Sequence, residues 1–274
     1  MGIIKKLIQV VLIVLFTASC KNEKKEYYSE GNIKSVLELN SNNQKDGTEK
    51  IYYETGELMF LQHFKNGKQV ESSFRYYKDG SIQSIIKRKN DSLLCKNFSK
   101  NILTSEGAID SLGRAIGWWN NYTNNEISSK QENIIIKGKS VINRQKAYLN
   151  NKFIFEKSNY YDLIRPKKIE TKTELLLKFL FNFYEIQKEE NLFGKNYYYL
   201  LVSPDINKDF SNLETLKLDT IVNRKEYFDF YIKFKKTGKK SIKGIIEKHI
   251  LIEKNNKTVI KKSRIYVNEE INVS

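Results

Sequence analysis

The sequence predicts an all-β protein in which an antiparallel repeat meander is followed by a β-sandwich-like domain. Three observations carry this. The phrase YYSEGNI at Tyr27 returns as YYETGEL at Tyr52 and as YYKDGSI at Tyr76, at intervals of 25 and 24 residues, and a steady period of that size marks a repeat architecture. From about Lys130 the phrase is lost, and short runs rich in β-branched and aromatic residues alternate with Asn, Gly, Asp and Lys clusters, the pattern of a sandwich or barrel. The chain of 274 residues is 40% hydrophobic and 12% aromatic with only 2 Pro, so it is an ordered globular protein long enough for two modest cores.

In chain order, MGIIKKLIQVVLIVLFTASC comes first. Lys5 and Lys6 precede an apolar run from Leu7 to Phe16, about half the ~20 residues a spanning helix needs, so residues 1–19 read as a signal peptide. Thr17, Ala18 and Ser19 before Cys20 resemble a bacterial lipobox, which makes Cys20 the expected lipid attachment site. The alternative is an ordinary secretory signal with an incidental Cys20. Residues 20–26, with the run KNEKKE, resemble the charged tether of Bacteroidetes lipoproteins, so the expected location is the cell envelope, at the outer membrane. Two or more acyl chains hold stably where one holds only marginally. With Cys20 lipidated, Cys95 is the one thiol left, and its apolar surroundings SLLCKNF suggest a small buried hydrophobe.

Residues 27–128 form the repeat region. Each phrase has aromatic strand residues, two polar turn residues, a glycine (Gly31, Gly56, Gly80) and an apolar residue opening the return strand, which is hairpin chemistry. Asp46-Gly47 and Asn66-Gly67 supply further expected type I′ turns. Between them ELMFLQHF places Leu58, Phe60 and Phe64 on one strand face and Met59, Leu61 and His63 on the other. GWWNNY, Gly117 to Tyr122, reads as an eroded fourth copy. These phrases and the intervening NGK at Asn66 resemble the variant MORN repeat, the type that also builds the YwqK-like antitoxin family of bacteria. The resemblance implies a β-repeat found in scaffolds and membrane-associated proteins, and by its family name an antitoxin role.

Residues 130–274 are expected to form the sandwich-like domain. The segment TKTELLLKFLFNFYEIQKEE, residues 171–190, is ambiguous. As a strand it gathers Leu175, Leu177, Phe179, Phe181 and Phe183 on one apolar face; as a helix it has a capping box at Thr171 and Glu174. The strand is favoured, the helix giving an α+β second half.

The formal charge of +16 suggests an acidic partner, but the lysines are spread along the whole chain and Arg is scarce, which argues against nucleic acid. His63 and His249 lack partners at ligand spacing, so no metal is expected. DINKDF, from Asp205, imitates half a calcium loop but has Phe210 for the sharp-turn glycine and Leu216 for the closing Glu, and reads as a solvated turn. No nucleophile elbow, phosphate loop or dinucleotide glycine pattern is present, so the protein is expected to be non-enzymatic and cofactor-free.

Trp118, Trp119 and Tyr122 are the candidate ligand-binding aromatics. Alternation sends the two tryptophans to opposite strand faces, so one can pack in the core while the other stacks on a sugar or anchors a protein. The plainer alternative buries both. The functional expectation is a membrane-anchored interaction scaffold for a protein or glycan partner, with an antitoxin-like or immunity-like neutraliser at the envelope as the alternative.

Overall fold

A computed structural model of the chain describes residues 22–89, 92–184, 192, 194 and 196–274. Cys20, the expected lipid site, lies outside them. Among the described residues the secondary structure is nineteen strands and one short 3₁₀ turn, Leu213–Thr215. The chain is all-β, and it divides into two compact units: the described residues up to 89 with 95–102, and residues 92–94 with 103–274.

In the first unit the strands are β1 (Asn22–Tyr27), β2 (Ile33–Leu39), β3 (Lys45–Tyr52), β4 (Leu58–Lys65), β5 (Lys68–Gln69), β6 (Ser73–Tyr76) and β7 (Ile82–Lys89). They pair in the order β1-β2-β3-β4-β6-β7, all antiparallel, with the short β5 closing on β4. β8 (Ser92–Ser99) and β9 (Ile102–Ile109) stand where the units divide.

The repeated phrase is one turn, built three times. Tyr28, Tyr53 and Tyr77, the second tyrosine of each pair, donate their N–H to the carbonyls of Asn32, Glu57 and Ser81, and accept at their own carbonyls from Gly31, Gly56 and Gly80, all at 2.8–3.0 Å. Those glycines have φ between 80° and 100°, a conformation that costs other residues a Cβ clash. The same three tyrosines stitch one period to the next. Tyr28 Oη donates to the Tyr52 carbonyl at 2.7 Å, Tyr53 Oη to Tyr76 at 2.8 Å and Tyr77 Oη to Phe98 at 3.1 Å.

Of the two turns expected between the phrases, one falls elsewhere. Asn66-Gly67 is a two-residue turn with positive φ at both positions, as expected, but Asp46-Gly47 lies inside β3. There Gly47 sits against the Glu38 side chain, whose carboxylate accepts the Thr48 N–H at 2.9 Å, and the β2–β3 register shifts beside it. The glycine makes a bulge where Glu38 needs room, and the hairpin closes instead at Asn40–Gln44. The phrase's turn also recurs at Asp110–Arg114, where Asp110 N–H donates to the Arg114 carbonyl at 2.9 Å and Gly113 N–H to that of Asp110 at 3.0 Å. A carboxylate reinforces the backbone bonds there: Asp110 Oδ1 also accepts the N–H groups of Leu112 and Arg114.

In the second unit β10 (Ala115–Thr123), β11 (Glu126–Ile136), β12 (Lys139–Leu149) and β13 (Lys152–Ile164) continue as antiparallel hairpins. Their turns at Asn124-Asn125, Lys137-Gly138 and Asn150-Asn151 have positive φ at both residues, which Asn tolerates best after Gly. β13 is long enough to serve twice. Its first part pairs with β12, and Tyr160 to Ile164 pair with β14 (Glu174–Asn182), which pairs in turn with β17 (Tyr227–Lys233). A second sheet runs β16 (Asp219–Asn223), β15 (Tyr197–Val202), β18 (Gly238–Lys254), β19 (Lys257–Val273).

The two sheets bury one core between them, as expected of a sandwich. Tyr161, Leu177, Phe179, Phe181 and Phe228 meet Leu200, Ile246, Ile265, Val267 and Ile271 there. β14 resolves the ambiguous segment: Leu175, Leu177, Phe179 and Phe181 are buried while Leu176 and Leu180 are exposed, the period of two that only a strand produces. Residues 185–190 of that segment lie outside the described residues. The loop after β15 is not merely a solvated turn. Ile206 and Phe210 are both buried, Phe210 packing edge-on against Tyr266 at 4.9 Å, so the DINKDF segment is folded back onto the sandwich.

Candidate functional site

One face of β10, β11 and β12 carries a cleft. Cross-strand register aligns Trp118 with Glu132 and Arg144, and aligns Asn120 with Lys130 and Lys146. Directly opposed residues project to the same side, so aromatic, acid and base share one surface. Tyr148 follows on β12, and Asp162, Leu163 and Arg165 from the end of β13 together with Glu269 of β19 complete a cleft of about 660 Å³. That volume lies in the range of about 300–1,000 Å³ typical of small-ligand sites.

Arg144 is the centre of this surface. Its Nε and Nη2 each donate to a different oxygen of Glu132 at 2.6 Å, a bidentate pair with both side chains largely buried. Nη1 donates to the Tyr161 carbonyl at 3.3 Å and lies 3.5 Å from Glu269. The guanidinium sits between two rings, 5.1 Å from the Trp118 centroid and 4.3 Å from that of Tyr161. Burial works against its charge, but the Glu132 hydrogen bonds and the neighbouring acids outweigh that and hold it above its ordinary pKa. Tyr161 donates to Glu269 at 2.7 Å; burial pushes its phenol far up, with Arg144 opposing and Glu269 adding. The tyrosine therefore stays a neutral donor. Arg144 is thus fully engaged, and its guanidinium lies over the ring of Trp118, which is 41% exposed.

The remaining cations differ. Lys146 pairs with Asp162 at 2.9 Å. Lys130 has its ammonium 5.9 Å from the Tyr148 centroid, and among the described residues neither Lys130 nor the exposed Arg165 makes an ion pair or hydrogen bond with an acid. A side-chain amide anchors the floor: Asn143 donates to the Tyr266 carbonyl at 2.8 Å and accepts the Tyr266 N–H at 2.7 Å, so a buried side chain bonds to β19 as a neighbouring strand would.

The three candidate aromatics separate. Trp119 points to the opposite face and is 8% exposed, its Nε1–H donating to the Ala108 carbonyl at 2.9 Å. Gly107 lies beneath it, and a Cβ there would meet the indole ring. Tyr122 donates to Glu106 at 2.6 Å and does not line the cleft. Trp118 alone of the three does. The basic partners were missed in the sequence because Lys130, Arg144, Lys146 and Arg165 lie on three segments. The legible signal was the alternation Arg144, Lys146, Tyr148 in NRQKAYL.

The histidines occupy different units. His63 Nε2 is 3.9 Å from Glu71, and His249 bonds Glu247 at 2.6 Å. Among the described residues no three His, Cys, Asp or Glu side chains group as metal ligands. Cys95 is buried, and burial pushes its thiol up. No helix among the described residues is long and apolar enough to cross a membrane.

Residues 45–66 match the family model described as the MORN repeat variant. The match covers β3, the Tyr53–Glu57 turn and β4 through to Asn66, so the chain carries a repeat whose kind serves in protein and membrane interaction and is non-catalytic. No curated protein and no solved structure matches the chain.

Proposed function

We propose that this protein is a non-enzymatic, membrane-anchored scaffold that binds a glycan or protein partner on the Trp118 face of its second unit. The observation that carries the reading is an aromatic ring held outward by a saturated arginine, beside Lys130 and Arg165, which among the described residues pair with no acid. Holding a large aromatic at the surface forgoes hydrophobic burial worth about 1.5–3 kcal/mol, and exposed, rigid aromatics with a polar rim are the usual anchors of recognition. The MORN repeat variant supports an interaction role. The lipobox-like TASC supports attachment of that scaffold to the outer membrane through acylated Cys20, with the charged segment 20–26 as tether.

The test has two arms. Metabolic labelling with a palmitate analogue marks the wild-type chain and leaves Cys20→Ala unlabelled and released from the membrane fraction. Capture from solubilised envelope recovers partners with the wild type that Trp118→Ala loses. Equal labelling of Cys20→Ala contradicts the anchor, and an unchanged set of captured partners contradicts the binding face.

A further inference from the structure

The cleft has a chemical bias sharper than "glycan or protein". From it we infer that the ligand of the Trp118 cleft is an acidic saccharide, a sugar chain bearing carboxylates. This rests on the binding-face reading and narrows it.

The floor decides against a peptide. β11 is paired on both sides along the aligned rows Trp118, Glu132, Arg144 and Asn120, Lys130, Lys146, and β10 and β12 are interior strands flanked further out by β9 and β13. None of the three offers a sheet edge, so no strand can add there by main-chain bonding, a recurring mode of extended-peptide recognition. Recognition must come from side chains on a flat face. Those side chains are an exposed indole, planar amide and carboxylate groups (Asn120, Asp162, Glu269) and cations. An indole offers a flat apolar surface for the C–H face of a pyranose, and planar polar groups reach its hydroxyls.

Charge sets the class of sugar. Glu132 and Glu269 satisfy Arg144, and Asp162 satisfies Lys146. Lys130 stands one strand over and two residues along from Trp118, a diagonal neighbour at about 7–8 Å. A carboxylate on the ring stacked at Trp118 falls within the reach of its ammonium. Arg165, on the wall, is placed for an acidic group further along the chain, where its planar fork suits a carboxylate. A neutral sugar leaves both cations unanswered.

The experiment uses the full chain in detergent and a matched pair of probes, an oligogalacturonate and its fully methyl-esterified counterpart, followed by isothermal calorimetry and tryptophan fluorescence. The free acid is expected to bind at least about tenfold more tightly than the ester, equivalent to about 1.4 kcal/mol. Lys130→Gln and Arg165→Gln each weaken the acid severalfold and leave the ester unchanged, while Trp118→Ala weakens both. Near-UV circular dichroism confirms that each variant keeps the wild-type fold, and Lys130→Gln removes charge without touching the Arg144 network. Equal binding of acid and ester overturns the acidic specificity but leaves the binding face standing. Tighter binding of poly-glutamate than of either sugar overturns the saccharide in favour of an acidic peptide. Failure of all three probes, with Trp118→Ala still losing captured envelope partners, overturns this inference alone.

Discussion

The two units use the same antiparallel hairpins and hold them together differently. In the first, the only buried side chains among the described residues are Ser73, Ser84 and Cys95. In the second, a contiguous cluster from Tyr161 to Val273 is buried between two sheets. A sheet without a covering layer depends on ladder hydrogen bonds, cross-strand pairs and the tyrosine stitches, each worth about 0.2–1.5 kcal/mol. A sandwich gains about 25 cal/mol per Å² of apolar surface removed from water. The lesson is that periodicity and core are separable: the repeat specifies register turn by turn, while the sandwich supplies a rigid backing on which a binding face can be displayed.

The largest expected effect breaks the second unit. Phe179→Ala or Leu177→Ala empties a fully buried position and should cost about 2–5 kcal/mol, read as a lowered denaturation midpoint by near-UV circular dichroism. The same truncation at half-buried Leu58 in the first unit should cost about 1 kcal/mol. If the two costs were equal, the contrast between the units would fail. Next comes Arg144→Ala, which strands Glu132 largely buried without its partner; about 3 kcal/mol is expected, together with a red-shifted Trp118 emission as its stacking partner is lost.

Gly107→Ala sharpens the picture of the two tryptophans. Its Cβ would overlap the Trp119 ring, so about 1–3 kcal/mol of strain is expected, with Trp119 emission changing and Trp118-dependent binding kept. The smallest mutational effect is Tyr53→Phe, which removes one stitch to the Tyr76 carbonyl and should cost about 1 kcal/mol, with faster amide exchange confined to the neighbouring hairpins.

Acid should act on the second unit through Glu247. Burial works to raise this carboxyl, but hydrogen bonds from His249 at 2.6 Å and Arg264 at 2.5 Å outweigh it and hold the pKa below the ordinary carboxylate value. A carboxyl depressed in the folded state stabilises fully above its unfolded pKa, about 4.3, and loses that contribution as pH falls through the lower folded value. A pH series of denaturation midpoints should therefore decline below about pH 4.3, and Glu247→Gln should flatten that part of the decline.

Much of the fold was legible because its signals are local. The tyrosine-glycine phrase is a turn with its own bonds, and the alternation of Leu175, Leu177, Phe179 and Phe181 marks β14 without outside help. The misread places are those where a distant side chain decides. Gly47 turned out to be a bulge because Glu38 lies against it, and the Asp110–Arg114 turn escaped notice because a carboxylate stands where the phrase has tyrosine. The Asn150-Asn151 turn was overlooked for want of glycine, although Asn accepts positive φ. At the site, alternation correctly separated Trp118 from Trp119. Of the cations around Trp118 only the Arg144, Lys146 alternation left a local trace, since Lys130 and Arg165 join them only through strand register and the end of β13. Sequence showed the aromatic and not its electrostatic setting.

The division between a stitched repeat and a cored backing is tested most directly by amide hydrogen exchange on the full chain, read strand by strand. Protection in β14, β15, β18 and β19 should exceed that in β2, β3, β4 and β6 by orders of magnitude, with β12 near Asn143 following the protected group. Uniform protection across all of these strands, or slower exchange in the repeat hairpins than in the sandwich, would contradict it.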